Sequence, residues 1–105
     1  MIKPILGPPQ IVYQNEFLKI SSVHVQFPGF SKTVYVSHYG PRVGVLLLKD
    51  DNVLLVRQYR MLINDMALEI PGGKVDDGET PEAAAMRECQ EETCLRCLNL
   101  QPLLY

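Results

Sequence analysis

Gly73-Lys74-Val75-Asp76-Asp77-Gly78-Glu79-Thr80-Pro81-Glu82-Ala83-Ala84-Ala85-Met86-Arg87-Glu88-Cys89-Gln90-Glu91-Glu92-Thr93-Cys94-Leu95 is the stretch whose reading decides the fold of this 105-residue chain. Its second half spells a helix. Thr80 offers a hydroxyl to cap the first turn, and Pro81 takes the first helical position, where its missing N–H costs nothing. Glu82 puts negative charge where the helix dipole favours it. Residues 81–93 are rich in Ala, Glu, Met and Arg, all good helix formers. Arg87, Glu88, Glu91 and Glu92 crowd into six positions. Glu88 and Glu92 are four apart, so their carboxylates share one helix face, with Glu91 beside it. Like charges at that spacing destabilise a helix by roughly a few tenths of a kcal/mol. A hard divalent cation would offset this repulsion, because Mg²⁺ takes oxygen ligands from carboxylates and substrate phosphates. A solvated acidic face is the alternative, and for the helix alone it is the commoner case.

Working upstream, Gly72-Gly73 permits close backbone approach, and Asp76-Asp77-Gly78 makes a turn. A glycine-rich loop feeding a helix N-terminus suits phosphate, although as a lone signal it is weak. Leu68-Glu69-Ile70 reads as a short strand ended by Pro71. Val53-Leu54-Leu55-Val56-Arg57 reads as another strand, with Gln58-Tyr59-Arg60 at its exit. The polar turn Lys49-Asp50-Asp51-Asn52 joins it to Val43–Leu48, a continuous apolar run expected to be a central strand buried on both faces. Further upstream, Gln10–Ile20, Val23–Phe27 and Thr33–Ser37 predict an antiparallel meander turning at Pro28-Gly29. Residues 1–10 are Pro-rich and read as an arm or loop. Downstream of Cys94 the chain is Leu-rich, and Leu103-Leu104-Tyr105 reads as the beginning of a strand. Any single aromatic, including Tyr13, Phe17 and Tyr35, is expected in a core more often than on a stacked base.

Composition narrows the function classes. The length suits one domain, residues 1–105, with N-terminal strands over 1–40 and a sheet-and-helix part over 41–105. The chain is 47% apolar with 10 basic and 12 acidic residues, so no basic excess is available to grip nucleic acid. No apolar run approaches a membrane span or a signal peptide, and a cytoplasmic protein is expected. Cys89, Cys94 and Cys97 are the only cysteines, and an odd count argues against a disulfide scaffold. Cys94-x-x-Cys97 lacks a second ligand pair, so it reads as small half-buried residues at a helix end rather than a zinc site.

Taken whole, the spacing is Gly73, five residues, Glu79, seven residues, Arg87-Glu88, two residues, Glu91-Glu92, then Thr93-Cys94-Leu95. It resembles the Nudix box, Gly-x5-Glu-x7-Arg-Glu-aliphatic-x-Glu-Glu-x-Gly-aliphatic. Every charged position agrees. Cys89 stands where a bulky aliphatic residue is usual, and Cys94 stands where the box closes with glycine. If that glycine serves a left-handed cap, cysteine there costs roughly 1 kcal/mol or more. The flanks Val53–Arg60, Ala67–Lys74 and Gly78–Ala85 are similar to the ADP-ribose pyrophosphatase branch of the superfamily, as is the N-terminal strand region.

The resemblance implies an α+β, α-β-α Nudix fold: a mixed β-sheet carrying the loop-helix over 73–95, preceded by a small antiparallel sheet. Family members of this kind continue with further strands after the helix, so the C-terminal part of the core is expected to be missing here. It implies a metal site of Glu88, Glu92, Glu91 and the Gly72 carbonyl, binding Mg²⁺ with Mn²⁺ as the alternative ion. Glu91, Glu92 and Arg87 are the implied catalytic residues, with Arg87 and Glu79 more often bracing loop against helix. Arg60, Arg57 and Glu69 are the implied substrate-binding residues. The expected partner is a small nucleotide substrate, with a homodimer carried over from the family. The expected reaction is hydrolysis of a diphosphate bond, ADP-ribose giving AMP and ribose 5-phosphate, with a general base outside this chain. The competing reading is a shortened, non-catalytic module that binds a nucleotide or a partner chain.

Overall fold

The structure is a computed structural model that describes residues 2–104. The chain divides into two compact units, Met1–Tyr39 and Gly40–Tyr105.

The first unit is an antiparallel sheet of β1 (Ile5–Leu6), β2 (Gln10–Gln14), β3 (Lys19–Phe27) and β4 (Phe30–His38). β4 pairs along the whole length of β3, from Lys19↔His38 to Phe27↔Phe30. β1 and β2 therefore share the other edge end to end, through Ile5↔Gln26 and Gln10↔Ser22. Gly29 makes the tight turn between β3 and β4 at φ 86°, as Pro28-Gly29 predicts. Three expectations need correction. The Pro-rich arm is not all loop, because Ile5 and Leu6 find unpaired backbone groups on the edge of β3. Phe17-Leu18 is not strand, because Asn15 Oδ1 accepts the N–H groups of both residues at 2.8 Å and turns the chain. Tyr13, Phe17 and Tyr35 are exposed rather than core.

The second unit contains β5 (Arg42–Gly44), β6 (Leu47–Lys49), β7 (Asn52–Leu54), β8 (Val56–Arg60), β9 (Asp65–Glu69), β10 (Gly72–Lys74) and α1 (Pro81–Thr93). The pairs β10–β5, β6–β7 and β8–β9 are all antiparallel. Asp50 and Asp51 both take positive φ, 51° and 62°, the turn geometry that matches strand twist in a two-residue hairpin. The core gathers Val45, Ala85 and Cys89, with Val43, Leu47, Cys97 and Leu100 packed against it.

Periodicity explains a further correction. In the run Val43–Leu48 the odd positions reach this core, while Leu46 and Leu48 are exposed. The run is thus covered on one face and breaks after Gly44 into two short strands. Leu55 likewise interrupts the next run. Among the described residues after Cys94 there is no strand, since the segment meets no edge that would satisfy its backbone. Tyr105 lies outside the described residues. The broad architecture agrees with expectation: an antiparallel N-terminal sheet, then strands packed by a single loop-helix.

Candidate functional site

The helix begins and ends as its residues dictate. Thr80 Oγ1 accepts the Ala83 N–H at 3.1 Å, a side-chain cap on the first turn. At the other end Cys94 adopts φ 60° and ψ 14°, and its N–H donates to the Gln90 carbonyl. Cys94, which stands where the Nudix box it resembles closes with glycine, is therefore left-handed.

The loop is locked to the helix through one guanidinium. Arg87 donates from Nε and Nη2 to both Glu79 oxygens at 2.9 Å, and Nη2 also reaches the Lys74 carbonyl at 3.0 Å. Its Nη1 contacts Glu88 Oε1 at 3.0 Å and, more loosely, Glu91 at 3.4 Å. Asp76 adds a contact at 3.5 Å. The Arg87 hydrogen bonds, followed by that from the Asp76 N–H, hold the Glu79 carboxyl down at about 2. Glu79 in return pushes the Arg87 guanidinium upward. The arrangement is the brace expected of this pair.

Glu88 and Glu92 flank the Gly72-Gly73 backbone. A side chain on Gly73 would collide with the Glu88 carboxylate, and one on Gly72 with the Val43 carbonyl. The Gly72 N–H donates to Glu92 Oε2 at 3.2 Å. Gly72, Gly73, Glu88 and Glu92 are thus brought together. Their donor chemistry, carboxylate oxygens beside a peptide, suits a hard cation such as Mg²⁺. Among the described residues, however, no three such side chains converge closely enough to hold an ion as they stand. Arg87 holds Glu88 and Glu91, and the Gly72 N–H holds Glu92. Cation binding would require these carboxylates to exchange protein donors for the metal.

Beside this cluster lies a cleft of about 240 Å³ lined by Arg42, Gln58, Arg60, Glu69, Gly72 and Glu92 among others. Arg60 and Glu69 meet there as a bidentate pair, Nη2 to Oε2 at 2.7 Å and Nε to the carboxylate at 2.9 and 3.0 Å. That hydrogen bonding pushes the Arg60 guanidinium upward. Arg57 points elsewhere. Strand alternation puts it on the opposite face of β8 from Gln58 and Arg60, where it lines a separate hollow of about 540 Å³ with Glu91 and Glu92. Arg42 and Gln58 escaped the sequence reading. The available signal was alternation: Val43 and Val45 face the helix, so Arg42 takes the other side of β5, and Gln58 shares the face of Arg60.

All three cysteines are free, with Cys89 buried and Cys94 exposed. Burial, and next the Cys89 thiol, push the Cys97 thiol upward, which suits a packing role.

Residues 38–104 match the family model of the NUDIX domain. The ADP-ribose pyrophosphatase of Bacillus subtilis is 42% identical over 85 residues, covering 78% of this chain and 45% of that protein. The CMP-5'-(N-acetyl-N-hydroxy-3-aminopropyl)phosphonate hydrolase of Streptomyces rubellomurinus is 31% identical over 97 residues, covering 90% of this chain and 47% of that protein. A solved structure described as an ADP compounds hydrolase superposes with a TM-score of 0.62 at 24% identity, covering 87% of this chain and 51% of that one. The chain thus spans about half the length of the relatives it matches. With the family model matched over most of the chain and the same fold in a solved structure, the chain belongs to the NUDIX domain family.

Proposed function

We propose that this chain takes part in divalent-metal-dependent hydrolysis of the diphosphate bond in a nucleoside diphosphate linked compound, ADP-ribose giving AMP and ribose 5-phosphate. The observation that carries the reading is the placement of Glu88 and Glu92 against the Gly72-Gly73 backbone. Glu88, Glu92, Glu91 and the Gly72 carbonyl are the proposed ligands, with Mg²⁺ the favoured ion and Mn²⁺ the alternative. A bound ion of this kind neutralises phosphate charge and lowers the pKa of a coordinated water. Glu91 and Glu92 orient ligands around the reacting phosphate, and Arg87 fixes Glu79 and Glu88 so that the loop keeps its place. Arg60 and Glu69 line the cleft in which the diphosphate and sugar would lie. Arg57 borders the neighbouring hollow and serves binding less directly. Similarity to the Bacillus subtilis ADP-ribose pyrophosphatase favours ADP-ribose, and the Streptomyces relative keeps other nucleotide-linked substrates in play. A cytoplasmic homodimer is the expected setting. No helix among the described residues is long and apolar enough to cross a membrane.

The test is ADP-ribose cleavage with added Mg²⁺. Glu92→Gln removes a charged ligand and should lower turnover by about a hundredfold or more, the loss of a few kcal/mol of charge stabilisation. Turnover that is absent, or indifferent to the substitution, would leave the second reading, a nucleotide-binding module without catalysis. The engagement of Glu88 and Glu91 by Arg87 is the observation that favours that alternative.

A further inference from the structure

Arg42 and Lys74 stand directly opposite each other across the β5–β10 ladder, on the same face as Gly44 and Gly72. Like charges in directly opposed positions repel and weaken a strand pair. Neither residue has a carboxylate partner among the described residues. Every other arginine at the site is committed: Arg60 to Glu69, and Arg87 to Glu79 and its neighbours. Arg42 also lines the cleft that ends at Gly72 and Glu92. The charged residues lining that cleft are Arg42 and Arg60 against Glu69 and Glu92, so the lining is formally neutral. Without Arg42 it would carry net negative charge and repel an anion.

We propose that the opposed Arg42–Lys74 pair is a phosphate-binding subsite at the mouth of this cleft, taking the diphosphate oxygens of the substrate. An anion between the two cations would convert their repulsion into attraction, and a guanidinium fork with free N–H donors suits phosphate oxygens. Arg60 already commits Nε and Nη2 to its bidentate bond with Glu69. Arg60 instead holds Glu69 as a fixed wall of the cleft, with the Gln58 amide beside it for neutral groups. The assignment rests on the proposed function for the identity of the substrate, and on the strand register for the site itself.

The experiment is calorimetric titration of ADP-ribose, with and without Mg²⁺, into the unmodified chain and the variants Arg42→Gln, Arg42→Lys and Lys74→Gln. Arg42→Gln should weaken binding about tenfold, the scale of one hydrogen bond to a charged group, and Arg42→Lys should recover part of it. Lys74→Gln should weaken it by a smaller factor. In the ligand-free chain neither Gln variant should lower the thermal midpoint, because each removes a repulsion. Unchanged affinity in Arg42→Gln, or no binding by the unmodified chain in either condition, would overturn the subsite. Weakened binding in Arg42→Gln alongside no turnover by the unmodified chain would support the subsite and reject the hydrolase reading. Turnover that depends on Glu92 but not on Arg42 would do the reverse.

Discussion

Cys94 shows how much one residue can carry without touching the chemistry. It closes α1 at φ 60°, a conformation that glycine adopts freely and a residue with Cβ does not. Its side chain is exposed, so burial offsets little of the strain. Cys94→Gly should therefore raise stability by up to about 1 kcal/mol, the relieved strain less the greater unfolded-state entropy cost of glycine. Chemical denaturation checks this: an unchanged or lower midpoint would mean that the cap is not strained. Gly73, which opens the box, faces the opposite constraint. Gly73 lies so close to the Glu88 carboxylate that any side chain would displace it. Here the steric need of the carboxylate, rather than the backbone angle, excludes larger residues.

At the scale of elements, the question is what holds the loop 74–80 against α1. The answer is the Glu79–Arg87 pair with its auxiliary contacts to Asp76 and the Lys74 carbonyl. Glu79 has its carboxyl lowered from an ordinary value of 4.5 to about 2. Its folded-state affinity for a proton is thus below its unfolded-state affinity. Its contribution to stability is complete above the unfolded value and disappears as pH falls from about 4.5 to about 2. Acid unfolding of the chain should accordingly steepen over that window, and Glu79→Gln should flatten the curve there while lowering stability at neutral pH. A profile unaffected by the substitution would show that Arg87 holds the loop through the Lys74 carbonyl instead. The exchange of Arg87 contacts matters for function too, because the same guanidinium holds Glu88 and Glu91.

For the whole molecule, the leading feature is apolar surface. Leu46, Leu48, Val53, Leu55 and Leu68 in the second unit are all exposed, at 45–67% of their full surface. Leu48 and Val53 face each other across the β6–β7 hairpin, so part of this surface is one cross-strand pair. Exposed apolar pairs on short strands favour association of chains. Leu48→Lys should leave the thermal midpoint nearly unchanged, within about 0.5 kcal/mol, since the side chain is not in the core. It should also raise the concentration at which the chain stays monodisperse in sedimentation. A large loss of stability would show that Leu48 is covered in solution.

The local sequence by itself determined the loop-helix and its partners. The cap at Thr80 and the shared face of Glu88 and Glu92 follow from spacing along one short segment, whereas the Glu79–Arg87 brace and the left-handed cap at Cys94 were implied by the resemblance to the Nudix box. Hydrogen bonds that close within a few residues, and charges one helical turn apart, need no distant partner to be predictable. The turns at Pro28-Gly29 and Asp50-Asp51 were legible for the same reason. What only the tertiary structure decided depends on which elements meet. Ile5-Leu6 becomes strand because the edge of β3 receives it, and Val43–Leu48 is covered on one face because α1 packs on one side alone. Arg57 and Arg60 are both candidates in sequence, yet β8 turns them to opposite faces and Glu69 engages only Arg60. Arg42 entered the site through its register with Lys74, 32 positions away, and no pattern within either strand announces such a meeting. The box at 73–95 names the family, while the cleft beside it was assembled by strand pairing.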